Sequence, residues 1–134
     1  MMMYAWVKKY IGIPFVSNGR TLAGCDCYGL VRLVLRDEYG ICLPELTDDY
    51  TNALNIREIA RLFSKRRPVL AAEKIAGPQE KAVVVITEHG VPAHIGIAAG
   101  GGYILHTGAK TGAVCQRETH PGLRGRIEGY YRVS

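Results

Sequence analysis

Cys27, His94 and His106 are the residues of this 134-residue chain whose types and spacing could carry a reaction. Cys27 follows Asp26, a suitable N-cap, and so falls in the first turn of a predicted helix. The partial positive charge of a helix start favours thiolate over thiol, and thiolate is the nucleophilic form. His94 opens the run HIGIAA and His106 closes the run YILH, with Gly100-Gly101-Gly102 between them. Two strands joined by such a turn pair as a hairpin. The histidines, twelve residues apart, then lie on one face if no bulge intervenes. One imidazole could take a proton from Cys27, and the other could hold the first in the right tautomer and stabilise its charged form. The same residues also suit a packing cysteine at a helix start and strand-end histidines in ordinary hydrogen bonds.

Positioning these groups requires helices first and strands afterwards. Residues 1–10 predict a short helix with Tyr4, Val7 and Tyr10 on one side. Gly12–Gly24 reads as a loop. From Asp26 to Tyr39, Leu30, Val31, Val34 and Leu35 recur at helical spacing, and Gly40 supplies a stop. Asn52–Lys65 predicts a second helix with Leu54, Ile59, Leu62 and Phe63 on its buried side. Strands follow at Pro68–Ala71, Lys81–Thr87, His94–Ala99, Tyr103–Thr107, Ala113–Arg117 and Arg126–Arg132, with a turn over Gly90–Pro92. The run KAVVVIT, rich in β-branched residues, predicts a strand buried on both faces. The fold class is α+β, with helices packed on an antiparallel meander. Nothing marks an internal boundary, so residues 1–134 are expected to form one domain.

The local strings, taken together, resemble the NlpC-type cell-wall cysteine peptidases. DCYGLV at Asp26–Val31 is similar to that family's nucleophile motif. HIGIAAGGGYILHT, from His94 to Thr107, is similar to its base motif and the strand that ends in a second histidine. YIGIPFVSNG at Tyr10–Gly19 and LPEL at Leu43–Leu46 resemble the approach to the cysteine and the exit from its helix. The resemblance implies a papain-like fold and hydrolysis of amide bonds in peptidoglycan stem peptides. Cys27 would be nucleophile, His94 base and later acid, and His106 orienter. Asp26, Tyr28 and Phe15 fall at positions that line the substrate. Phe15 stands where the family usually has tyrosine, and Tyr28 where it usually has serine. In members that trim peptides with a free N-terminal alanine, that serine and the preceding aspartate hold the amine. GPQEK replaces the Gly-Asp pair that usually leads into the central strand. The aromatic after the cysteine resembles the phage tail branch, of the lambda-type tail protein K kind. Partners there would be stem peptides and phage tail proteins.

Composition excludes other classes. Hydrophobic residues make up 48% of the chain and charged residues 22%, which suits a packed core rather than disorder. The net charge of +5 is spread out. Its densest runs, Lys8-Lys9 and Lys65-Arg66-Arg67, are not interleaved with aromatics, so they read as solvated faces and no nucleic-acid partner is expected. No apolar run approaches the ~20 residues that cross a bilayer, so no membrane insertion is expected. Lysines interrupt the apolar residues of the N-terminus, unlike a signal peptide. Synthesis in the cytoplasm is therefore expected, and the resemblance to the phage tail branch implies delivery to the cell wall by a virion. Cys25, Cys27, Cys42 and Cys115 are too sparse for a disulfide scaffold, and reduced thiols are expected. No cofactor or metal is expected. Three alternatives stay open: a zinc site of Cys25, Cys27, His94 and His106, a non-catalytic peptidase-like module in phage tail assembly, and a thiol acyltransferase or amidase of similar architecture acting on a lipid or small molecule.

Overall fold

Asp26 starts the one α-helix of the described residues, α1 (Cys27–Tyr39), in extended geometry, and its carboxylate accepts the Gly29 N–H at 2.8 Å. Capping of this kind satisfies a donor that the first helical turn leaves unpaired. Gly40 ends the helix in the left-handed region at φ +67°, which costs glycine no Cβ clash. Leu30, Val31, Leu33, Val34 and Leu35 are buried between these ends. Each fully buried leucine of this stripe contributes roughly 1.5–3 kcal/mol. The computed structural model describes residues 2–44 and 73–133. The predicted helix at Asn52–Lys65, the predicted strand at Pro68–Ala71 and the end of LPEL lie outside the described residues.

The strands are β1 (Arg20–Thr21), β2 (Gly24–Cys25), β3 (Glu73–Ile75), β4 (Val83–Glu88), β5 (Val91–Gly100), β6 (Tyr103–Gly108), β7 (Gly112–Arg117) and β8 (Ile127–Arg132). The main sheet has the order β3-β8-β4-β5-β6-β7, with every pairing antiparallel. The expected meander runs from β4 to β7. β8 then returns past it and inserts between β4 and β3, a long-range pairing that no local signal marks.

Alternation along the strands gives the sheet two apolar faces. Val83, Val85, Ile95, Ile97 and Leu105 pack with α1. Val84, Ile86 and Ile104 form a second cluster with Leu123. β4 is thus apolar on both sides, as its composition predicts. The turn expected over Gly90–Pro92 is tighter: it is made at His89-Gly90, and Val91 and Pro92 already belong to β5.

The N-terminal segment straps this body. Where a helix is expected, Ala5–Lys9 forms a 3-10 turn with Val7 buried. Tyr4 N–H donates to Ala99 O at 2.7 Å, and Ala113 N–H to Ile13 O at 2.9 Å. The expected loop between Gly12 and Gly24 holds the short β1–β2 ladder, Arg20 opposite Cys25. That ladder lays Gly19 over the start of α1. A Cβ at Gly29 would collide with the Gly19 carbonyl oxygen, so glycine is required there.

Candidate active site

α1 and β5 bring Cys27 and the histidine strand together through main chain. The Cys27 sulfur accepts the N–H of Ile95, the residue after His94, and the N–H of Tyr28. The Ile95 amide is free for this because β5 and β6 pair only from Gly100↔Tyr103 to Ile97↔Leu105. Among the described residues, no hydrogen bond joins the sulfur to the His94 ring.

His94 and His106 meet directly, Nε2 to Nδ1 at 3.1 Å, with their rings at 76°. The hairpin reaches this arrangement by compensation. The turn is one residue shorter than expected, with Gly100 opposite Tyr103, and a bulge at Ala99 shifts the register back. The two offsets cancel and both imidazoles share a face. Gly96 stands two residues from His94 on the same face of β5, close beside His106. A Cβ there would come within 2.7 Å of Leu105 O and 3.0 Å of His106 Cβ. Its bareness lets His106 lie close to β5. On its other side, His106 Nε2 meets Gln116 Oε1 of β7 at 2.8 Å.

Burial governs the charge state of these groups. It pushes the Cys27 thiol up to about 12, and Asp26 adds to the rise, while the Ile95 and Tyr28 N–H groups oppose it. The helix start alone predicts a lowered value. Cys27 is only 5% exposed, and loss of water outweighs the helix field. Burial pulls His94 down to about 3, helped by His106 and then Arg126. His106 is also lowered, mainly by burial, against the opposing hydrogen bond from Gln116. The resting pair is therefore a neutral thiol and a neutral imidazole.

A cleft of about 250 Å³ borders the imidazoles, lined among others by Glu88, Thr107, Gln116 and Arg126. Arg126 is fixed by its Nε–H donating to Thr87 O at 2.8 Å and its Nη1–H to Gly122 O at 2.7 Å. Thr107 is 1% exposed and its hydroxyl has no partner among the described residues. Gln116, Arg126 and Thr107 carry no sequence signal of their own. Strand alternation from His106 could have pointed only to β7, once the pairing was known.

The residues expected to line the substrate make internal contacts. Asp26 is fully buried. One oxygen takes Gly29 N–H and Arg20 Nη1–H (3.0 Å), and the other takes Asn18 N–H (2.8 Å). Arg20 thus supplies the cation beside it. Tyr28 is buried, donates to Pro44 O at 2.6 Å and lies under the Arg20 guanidinium. Phe15 bridges to Cys25 and packs at the edge of the core. The residues weighed as a zinc site do not form one: no group of three or more His, Cys, Asp or Glu among the described residues is arranged to hold a metal ion.

A profile of the NlpC/P60 family matches residues 12–127. Solved structures share the fold. The NlpC/p60 domain of the peptidoglycan hydrolase SagA is 20% identical with a TM-score of 0.61, over 97% of this chain and 93% of that one. An NlpC/P60 family protein from Bacillus cereus is 18% identical with a TM-score of 0.65, over 95% of this chain and 37% of its own. The peptidoglycan hydrolase RipB of Mycobacterium tuberculosis is 14% identical with a TM-score of 0.58, over 96% of this chain and 61% of its own. The chain therefore spans well under two thirds of the Bacillus cereus protein. No curated protein sequence matches it.

Proposed function

Because the chain belongs to the NlpC/P60 family, we propose that it is a cysteine peptidase that hydrolyses amide bonds in peptidoglycan stem peptides. Cys27 is the nucleophile, His94 the base and then the acid, and His106 the orienter. One observation carries the reading. His94 spends Nε2 on His106 at 3.1 Å, and the adjoining Ile95 N–H reaches the Cys27 sulfur, so the other ring nitrogen of His94 is left for the thiol.

With a thiol near 12 and an imidazole near 3, a standing thiolate–imidazolium pair is disfavoured. The proton moves as bonds form. Sγ attacks the amide carbonyl carbon while its proton passes to His94. The N–H of Cys27 at the helix start supports the oxyanion. His94 returns the proton to the departing amine as the C–N bond breaks, leaving a thioester. Water then attacks the thioester, giving one proton to His94 and restoring the thiol as the acid departs. Hydrogen bonds of this kind commonly tighten only when substrate binds.

The remaining assignments extend this reading. Residues 1–134 are taken as one domain. Tyr28 after the nucleophile supports the phage tail branch, with synthesis in the cytoplasm and action at the wall from a virion. The internal Arg20–Asp26 pair supports a substrate without a free N-terminal amine at that position. A non-catalytic module in tail assembly is favoured by one observation, the 5% exposure of Cys27.

Digestion of purified peptidoglycan by wild type and Cys27→Ala, with fragments identified by mass, tests the assignment. Fragments from wild type alone are expected. Equal release by both proteins refutes the nucleophile, and no release by either, with Cys27 inert to a thiol probe, supports the module.

A further inference from the structure

The hydrogen-bond chain from the base does not stop at His106. β6 and β7 pair without a break from Tyr103↔Arg117 to Gly108↔Gly112. Gln116 stands opposite Ile104, diagonal to His106, and an unbroken ladder fixes that offset. Its Oε1 lies 2.8 Å from His106 Nε2. We propose that Gln116 is a positioning residue whose carbonyl sets the tautomer of both imidazoles and so leaves Nδ1 of His94 as the unprotonated nitrogen. This rests on the reading of His94 as base.

The argument is a count of protons. An amide oxygen can only accept, so His106 Nε2 carries the hydrogen. A neutral imidazole has one N–H, so His106 Nδ1 is a lone pair. His94 Nε2, 3.1 Å away, must then be the donor. His94 has no second hydrogen, and its Nδ1 is the acceptor that a thiol proton needs. The whole chain points one way. Reversed, it would put the hydrogen on His94 Nδ1, and the ring could not act as a base at that atom. Neither histidine can choose between these directions by itself, because each ring serves equally as donor or acceptor. The Gln116 amide, with its oxygen rather than its NH2 turned to His106, sets the direction. After proton transfer His94 carries a hydrogen on each nitrogen. Its Nε2–H still donates to His106, and the Gln116 dipole at the end of the chain stabilises the charge.

Substitutions that change only the hydrogen-bonding sense of residue 116 test this. Gln116→Glu keeps an acceptor, Gln116→Leu removes it, and Gln116→Lys offers only donors. Nitrogen NMR of the ring atoms, recorded on the full chain in a Cys27→Ala background, reads the tautomers without requiring hydrolysis. The wild-type side chain should give Nε2–H on both rings, Glu should preserve it, Leu should mix the forms, and Lys should reverse them. In the Cys27 protein, Leu should lower kcat about tenfold and Lys about a hundredfold with KM unchanged, the usual range for a partner behind a reacting group. Glu should retain kcat and move the acid limb of the pH profile upward. Unchanged tautomers in the Leu and Lys variants would overturn the proposal, as would a Glu variant as impaired as Leu. Wild type that sets the tautomers as stated but digests no peptidoglycan would refute the peptidase reading and leave the role of Gln116 standing.

Discussion

Asp26 precedes Cys27 on the helix side and His94 precedes Ile95, whose N–H meets the sulfur, on the strand side, and their surroundings differ in kind. Around Asp26, Gly29, Asn18 and Arg20 donate to a carboxylate with no exposed area. Around His94, the polar chain runs through His106 to Gln116 along the wall of a cleft. The first region is closed and holds the helix start in place. The second ends where a substrate can reach it. Adjacency to the sulfur therefore says little about chemistry.

The sharpest division should come from His94→Ala. Turnover should fall by about four orders of magnitude with the melting temperature held, as measured by peptidoglycan digestion and calorimetry. Asp26→Ala should behave in the opposite sense. It removes the carboxylate that pairs with Arg20 and caps α1, and a loss of about 3–5 kcal/mol in denaturant unfolding is expected. An Asp26 variant as stable as wild type but inactive would break the contrast and give the carboxylate a chemical role.

Acid should weaken the strand side next. His94 is held neutral down to about 3, whereas an unfolded histidine takes its proton near 6.5. The unfolded chain binds more protons between those values, so stability should fall as pH drops through that window, by on the order of 2–4 kcal/mol. His94→Gln should flatten that slope, and an unchanged slope would place the acid loss elsewhere. Gly96→Ala should cost about 1–3 kcal/mol by overpacking, and its crystal structure should show the His94–His106 contact lengthened. The smallest effect expected is a gain. Thr107 buries a hydroxyl without a partner among the described residues, so Thr107→Val should stabilise by about 1 kcal/mol, and a loss instead would reveal a partner for the hydroxyl.

Much of this architecture is legible in the chain because its causes are local. Asp26 caps, Gly40 turns left-handed and the apolar stripe between them repeats at helical spacing, so α1 is read nearly to the residue. The β-branched run of β4 and the turn glycines fix the central strands in the same way. The facing histidines follow from alternation, although the register is reached by a short turn and a bulge that offset each other. Other features depend on contacts distant in sequence. Gln116 is an ordinary strand amide until β7 is known to lie beside β6. The raised Cys27 thiol reflects burial, which the helix start cannot reveal. Two-residue strands such as β1 and β2 carry too little pattern to see, and the position of β8 is set by its partners alone.

That last strand has a consequence for the order of assembly. Among the described residues β3 pairs only with β8, which spans Ile127–Arg132 and also borders β4. The hairpins from β4 to β7 close over short loops and can form early. β3 must wait for a segment more than fifty residues downstream. Non-local pairing of this sort is slow and leaves strand edges bare in the meantime. During synthesis the outer side of β4 stays uncovered until β8 has left the ribosome, and a bare strand edge in that interval favours aggregation.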